Sequence, residues 1–126
     1  MRAIRSRDTK PERIVRSALF RLGYRFRVHC RAARGTPDIA FPARRKAIFV
    51  HGCFWHRHDG CAKAYTPKSR EAFWSEKFQK NVERDERTLN ELRTAGWAVM
   101  VVWECEAVDG EGLRERLSRF VGPVRI

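Results

Sequence analysis

Ala47-Ile48-Phe49-Val50-His51-Gly52-Cys53-Phe54-Trp55-His56-Arg57-His58-Asp59-Gly60-Cys61 is the stretch on which the reading of this chain turns. Its first four residues form a short apolar run of strand-forming side chains. That strand runs directly into a cluster holding three of the four histidines and two of the four cysteines. An aromatic pair, Phe54-Trp55, sits in the middle of it. A strand delivering so many ligand-type side chains into one glycine-containing loop points to a metal site, a reactive site, or both.

Upstream, two shorter strands lead into it. Tyr24 to His29 alternates as Tyr-Arg-Phe-Arg-Val-His, the pattern of a half-buried strand. Cys30 to Gly35 reads as a turn, Pro37-Asp38 opens a strand Ile39-Ala40-Phe41, and Pro42 to Lys46 is a basic turn. Connections this short imply an antiparallel meander of three strands. Before them, Thr9-Lys10-Pro11-Glu12 is a helix start: Thr9 can cap, Pro11 suits the first turn, and Glu12 stands where a capping box places its carboxylate. Ile14, Val15, Ala18, Leu19 and Leu22 then share one face, with Arg13, Arg16 and Arg21 on the other, until Gly23. Residues 1–8 are basic and lack periodicity, and read as an arm.

Downstream, residues 68–95 turn helical, with Trp74, Phe78, Val82, Leu89 and Leu92 in one stripe. Asp85 interrupts it and places a carboxylate on the face turned toward the core. An unpaired buried carboxylate is costly, so Asp85 is expected to orient another group, such as a histidine. Gly96 closes the helix. Trp97 to Trp103 is near-continuously apolar and reads as a strand buried on both faces, followed at once by Glu104-Cys105-Glu106. A last helix carries Leu113, Leu117 and Phe120. Helix, three strands, helix, strand, helix is an α/β order: a mixed central sheet flanked by helices, in a single domain spanning residues 1–126.

Bulk composition narrows the class. The 126 residues include 27 Lys and Arg against 15 Asp and Glu, a net charge of +12. A small domain this basic meets phosphate, nucleic acid before anionic membrane. No apolar run reaches the ~18 residues of a spanning helix, and no signal-peptide pattern opens the chain. The expectation is therefore a cytoplasmic protein without a membrane partner, in which cysteines serve as ligands or free thiols.

By spacing, Cys53, His58 and Cys61 form one ligand run, and Cys105 arrives from the last strand as a candidate fourth ligand for structural zinc. Cys30 is left over as a small apolar residue. Asp38 opens a strand that hairpins onto the one ending in Val50-His51, so a carboxylate and a histidine can converge; a Pro-Asp dipeptide is also an ordinary turn. With His58 given to the metal, His51 and His56 remain as candidates to activate water or steady a phosphate. Phe54-Trp55 either caps the core or forms a rigid wedge for DNA bases.

Gly35-Thr36-Pro37-Asp38, Phe49 to His56, Asn81-Val82-Glu83-Arg84-Asp85 and Val101-Val102-Trp103-Glu104-Cys105 together resemble the very short patch repair (Vsr) endonucleases. The likeness runs from Met1 to about Glu106. It implies a restriction-endonuclease-like fold, a structural zinc, and Mg²⁺-dependent nicking of double-stranded DNA 5′ to the thymine of a T·G mismatch. It also implies a monomer, contact with mismatch-repair proteins, and association with the nucleoid through DNA. Residue by residue, Asp38 matches the Mg²⁺ carboxylate, with the Val50 backbone carbonyl beside it. His56 matches the base that activates water, Asp85 the group holding its imidazole, His51 the second catalytic histidine, and Glu12 the acidic residue of the first helix near the site. Cys53, His58, Cys61 and Cys105 match the zinc set. Phe54 and Trp55 match the aromatic wedge, and Met1 the wedge residue of the opposite groove. Three departures stand out: Val50 where relatives carry Thr, a His58-to-Cys61 gap one residue longer, and a sequence that starts at the wedge methionine without the arm that precedes it in relatives.

Overall fold

The computed structural model describes residues 9–29, 36–108 and 110–124. Met1 and Cys30 therefore lie outside the described residues. A four-stranded sheet, in spatial order β1-β2-β3-β4, is formed by Arg27–Val28, Ile39–Phe41, Lys46–His51 and Ala98–Trp103. β1 and β2, and β2 and β3, pair antiparallel, as the short connections require, whereas β3 and β4 run parallel. A parallel neighbour needs a long crossover. It is supplied by the loop after β3 and the 24-residue helix α2, Glu71–Thr94.

Alternation along β3 sorts its side chains onto two faces. Ile48 and Val50 join Ile39, Phe41 and Val102 against helix α1 (Lys10–Arg21) and helix α3 (Gly110–Val121), through Val15, Leu19, Leu113, Leu117 and Val121. Ala47 and Phe49 face the other way, toward Leu89 and Leu92 of α2. By the same period His51 is directed to the α2 side. Helices on both faces thus give the mixed sheet flanked by helices that the element order implies.

α1 begins where its capping signal lies, with the Thr9 side chain accepting from the Glu12 N–H. Cations close the opposite end of α3. Lys46 Nζ donates to the carbonyls of Phe120 and Val121 at 2.7 and 3.0 Å, and Arg44 donates to Val121 at 2.8 Å. Positive charge at the last carbonyls complements the helix dipole. It also ties the β2–β3 connection to α3.

Three elements depart from the sequence reading. The first strand is confined to Arg27–Val28 rather than Tyr24–His29. Gly23, at φ 100°, turns the chain so that Tyr24 is buried and its hydroxyl donates to the Gly122 carbonyl. At the other end His29 adopts φ 51°, which stops the extended run. The expected basic turn 42–46 is a 3₁₀ turn, Pro42–Arg44, with Arg45 left-handed, so β3 starts at Lys46. β4 is not buried on both faces: within it only Val102 is fully buried, and among the described residues β3 alone pairs with it.

Candidate active site and metal cluster

The C-terminal end of β3 places two imidazoles side by side. His51 is the last residue of the strand, and His56 follows after one tight turn in which its N–H donates to the Gly52 carbonyl. Their rings stack at 4.0 Å between centroids with 7° between planes. From α2, Asp85 Oδ2 lies 2.6 Å from His56 Nδ1. An ionised carboxylate only accepts, so this bond assigns the proton to Nδ1 and leaves Nε2 as the basic nitrogen of the neutral ring. The carboxylate that interrupts the apolar stripe of α2 therefore has an imidazole partner. Burial holds His51 down at about 4, with the neighbouring His56 adding to the depression and Asp85 opposing it. His51 stays neutral where His56 and Asp85 are paired.

Asp38 stands one residue ahead of β2, the adjacent strand. Its Oδ2 accepts the Val50 N–H at 2.7 Å, which binds the start of β2 to the end of β3. Burial pushes its carboxyl up to about 6; the Val50 hydrogen bond lowers it, Glu12 raises it, and His29 and His56 lower it. Glu12, only 3% exposed, points inward from the first turn of α1 rather than out to solvent. Its Oε2 lies 3.7 Å from His29 Nε2. Glu12, His29 and Asp38 each offer one ligand atom within 4.8 Å of the others, as do His51, His56 and Asp85. The buried carboxylate of Glu12 and the half-buried one of Asp38 are oxygen donors of the kind a hard cation takes.

Behind this lies a third cluster. Cys53, His58, Cys61 and Cys105 bring their ligand atoms within 4.8 Å of one another. Cys53 Sγ lies 3.6 Å, and Cys105 Sγ 3.4 Å, from His58 Nδ1. In a zinc tetrahedron with Zn–S of about 2.3 Å and Zn–N of about 2.05 Å, sulfur and nitrogen stand about 3.6 Å apart. The donor set and the spacing fit that ion. In the protein alone, burial pushes the Cys53 thiol up to about 12. The backbone N–H of Lys63, aided by His58, draws Cys61 down to about 7. These three cysteines are free thiols.

Several residues that frame the site were given no role by the sequence, although Asn81 and Glu104 lie within stretches that carry the family likeness. Glu104 accepts the Cys53 N–H at 3.2 Å. Arg57 donates to the carbonyls of Phe54, Ala64 and Tyr65 and lies 3.8 Å over the Phe78 ring, stitching the Cys-His loop to α2. Asn81 Nδ2 holds the Trp55 carbonyl at 3.2 Å. Trp74 of α2 joins Phe54 and Trp55, each at 5.9 Å. Phe54 also packs edge-on against Phe78 at 5.2 Å, so it caps part of the core, while Trp55 lies half-buried at the border of the aromatic group. Trp74 was readable only as helix stripe. Its link to the loop is a contact between distant segments.

A carboxylate pair, a stacked imidazole pair with its own carboxylate, and an adjoining cysteine-histidine cluster on a basic α/β fold together offer the donors and bases that a phosphodiester hydrolase can use. Comparison with known proteins identifies which kind. Residues 1–63 match the family described as DNA mismatch endonuclease Vsr. The chain is 50% identical over 123 residues to the type II nicking enzyme V.XorIIP of Xanthomonas oryzae pv. oryzae, covering 98% of this chain and 90% of that protein. It is 44% identical over 125 residues to the type II nicking enzyme V.NmeAIP of Neisseria meningitidis, covering 99% and 89%. Against the DNA mismatch endonuclease Vsr of Escherichia coli it is 44% identical over 126 residues, covering 96% and 80%. The chain belongs to the Vsr family and is an endonuclease. Among the described residues no helix is long and apolar enough to cross a membrane.

Proposed function

We propose that this protein nicks one strand of duplex DNA on the 5′ side of the thymine in a T·G mismatch, using Mg²⁺ at the carboxylate site and a structural Zn²⁺ at the cysteine cluster. The observation that carries the reading is the Asp85–His56 bond at 2.6 Å with His51 stacked against it, beside the half-buried carboxylate of Asp38.

In this reading His56 Nε2 takes the proton of the attacking water while Asp85 fixes the tautomer and stabilises the imidazolium that results. His51, neutral by burial, donates a ring N–H to a phosphate oxygen as charge builds there. Asp38 and the Val50 carbonyl would hold Mg²⁺, with Glu12 close behind. When bound, that ion supplies Lewis-acid stabilisation of the phosphate and leaving oxygens. In-line attack at phosphorus breaks the bond to the 3′ oxygen, which leaves as a hydroxyl, and the nick carries a 5′ phosphate. Cys53, His58, Cys61 and Cys105 would hold Zn²⁺ and so fix the loop bearing His56, Phe54 and Trp55. Phe54 and Trp55, with Trp74 beneath them and Met1 from the other groove, would enter the base stack at the mismatch. The restriction-endonuclease-like character of the fold, a single domain acting as a monomer, contact with mismatch-repair proteins, and residence at the nucleoid belong to the same reading.

The test uses end-labelled duplexes, one with a central T·G pair and one fully paired, with and without Mg²⁺. A single nick beside the thymine, confined to the mismatched duplex and to reactions with Mg²⁺, is the expected result. Equal cutting of both duplexes would reassign the target. Tight binding with no cutting in any divalent cation would leave a zinc-stabilised DNA-binding module.

A further inference from the structure

His29 is the residue of the site that none of the motifs accounts for. It follows β1 directly, and its N–H donates to the Asp38 carbonyl at 3.2 Å, one step beyond the Val28–Ile39 pair. Its φ of 51° lies in the left-handed region. A residue with a Cβ is uncommon there and persists where surrounding structure enforces it. The imidazole is 13% exposed and faces a Glu12 carboxylate that is 4% exposed, at 3.7 Å. Its ligand atom, with one from Glu12 and one from Asp38, completes a set no more than 4.8 Å across. Around a six-coordinate cation with bonds of about 2.1 Å, neighbouring donors lie about 3.0 Å apart and opposite donors about 4.2 Å. Glu12 and His29, at 3.7 Å, would close by about 0.7 Å to stand as neighbouring donors.

We propose that Glu12, His29 and Asp38 hold one divalent cation through two carboxylate oxygens and one imidazole nitrogen, so that the site takes Mn²⁺ in preference to Mg²⁺. The inference rests on the reading of Asp38 as a cation ligand and extends it to the choice of metal. Mg²⁺ favours oxygen donors and keeps its waters, whereas imidazole shifts a mixed site toward transition-metal ions. Three converging elements make the donor set: the first turn of α1 brings Glu12, the end of β1 brings His29, and the entry to β2 brings Asp38. A His29 that merely paired with Glu12 would order the site for either cation equally. A His29 that ligates discriminates between them.

The experiment takes zinc-loaded protein and titrates it with Mn²⁺, following free Mn²⁺ by electron paramagnetic resonance, with Mg²⁺ as competitor. Wild type should hold one Mn²⁺ and prefer it to Mg²⁺ by about tenfold or more, and His29→Gln, which removes a direct ligand, should weaken Mn²⁺ by more than about 100-fold while moving Mg²⁺ much less. Asp38→Asn should abolish binding of both. Electron spin-echo modulation of the bound Mn²⁺ should show a directly coordinated ¹⁴N in wild type, which needs no variant to fold, and should lose it in His29→Gln. Absence of that nitrogen signal in wild type, or an unchanged Mn²⁺-to-Mg²⁺ ratio in a folded His29→Gln, overturns the proposal. Nicking of the T·G duplex by wild type is scored separately in each cation. Nicking with no nitrogen ligand sinks the metal assignment alone, while nitrogen-ligated Mn²⁺ with no nicking sinks the mismatch reading alone.

Discussion

Asp38, half-buried just ahead of β2, and His51, buried at the end of β3, are titratable groups that desolvation moves in opposite senses. Asp38 has a folded value of about 6 against 3.8. The folded state therefore holds its proton more tightly, and the stability this lends is full below about 3.8 and lost as pH rises through about 6. His51 has a folded value of about 4 against 6.5. Its neutral ring favours the fold above about 6.5, and that contribution is lost as pH falls toward about 4. Between these limits the two slopes oppose each other, each worth up to about 3 kcal/mol from shifts of 2–2.5 pK units. Single replacements should separate them in denaturant titrations of zinc-loaded protein without added Mg²⁺ or Mn²⁺. Asp38→Asn is expected to raise stability at pH 7 by about 1–3 kcal/mol and to steepen the acid loss, while abolishing nicking. His51→Gln should flatten the acid loss instead. Parallel profiles for wild type and both variants would show that neither group is perturbed by the fold. Added Mg²⁺ should stabilise wild type and leave Asp38→Asn unmoved, because an ion bound only by the folded state stabilises it by mass action.

At the scale of elements, the junction after β3 and the turn after β4 meet in one cluster, and the sequence foreshadowed it unevenly. Cys53, His58 and Cys61 are close in the chain, so their spacing was legible. Cys105 was legible only because it follows an apolar strand, and that strand had to be parallel to β3 for its end to arrive beside Cys53. Parallel pairing is what the structure supplies, with His51 opposite Trp103. Cys105→Ser should lower zinc content below one equivalent and lower the melting temperature with it, weakening zinc by more than the ~10–100-fold typical of changes one shell further out. Full zinc occupancy in that variant would move the fourth ligand elsewhere. The three antiparallel strands and the long helix were legible from alternation and apolar stripes, since both report one face of one element. What escaped was non-local. His29 looked like an ordinary strand residue because its role depends on α1 and β2 meeting it, and the partial exposure of β4 depends on β3 alone pairing with it among the described residues. Glu12 satisfied a capping pattern so well that its inward direction, seen in its 3% exposure, was carried only by the resemblance.

For the whole molecule, the question is how a basic surface and the proposed aromatic wedge divide the work of recognition. The net charge is +12. Lys10, Arg13, Arg21 and Arg114 line a groove between α1 and α3, and Arg70 lies over Phe73 near the aromatic group. Contacts from such side chains to phosphates release counterions and do not read bases. Binding through about six phosphates would lose about 10³-fold in affinity between 50 and 200 mM salt, with a slope shared by paired and mismatched duplexes. The wedge acts differently. Trp55 is half-buried, held at its carbonyl by Asn81 and backed by Trp74, so its ring is positioned before DNA arrives. A preset ring loses little freedom on binding, and stacking on a base is worth about 1–3 kcal/mol. A T·G pair yields to insertion more readily than a Watson–Crick pair, because less pairing and stacking must be given up. Trp55→Ala should therefore reduce affinity for the T·G duplex by roughly 10–100-fold and leave the paired duplex nearly unchanged, erasing the preference. Its salt slope should match that of wild type on both duplexes, since no phosphate contact is removed. Fluorescence anisotropy across a salt series on the two duplexes measures both quantities at once. A variant that lost affinity equally for both, or whose slope fell, would place Trp55 with the phosphate contacts and leave mismatch discrimination to another part of the molecule.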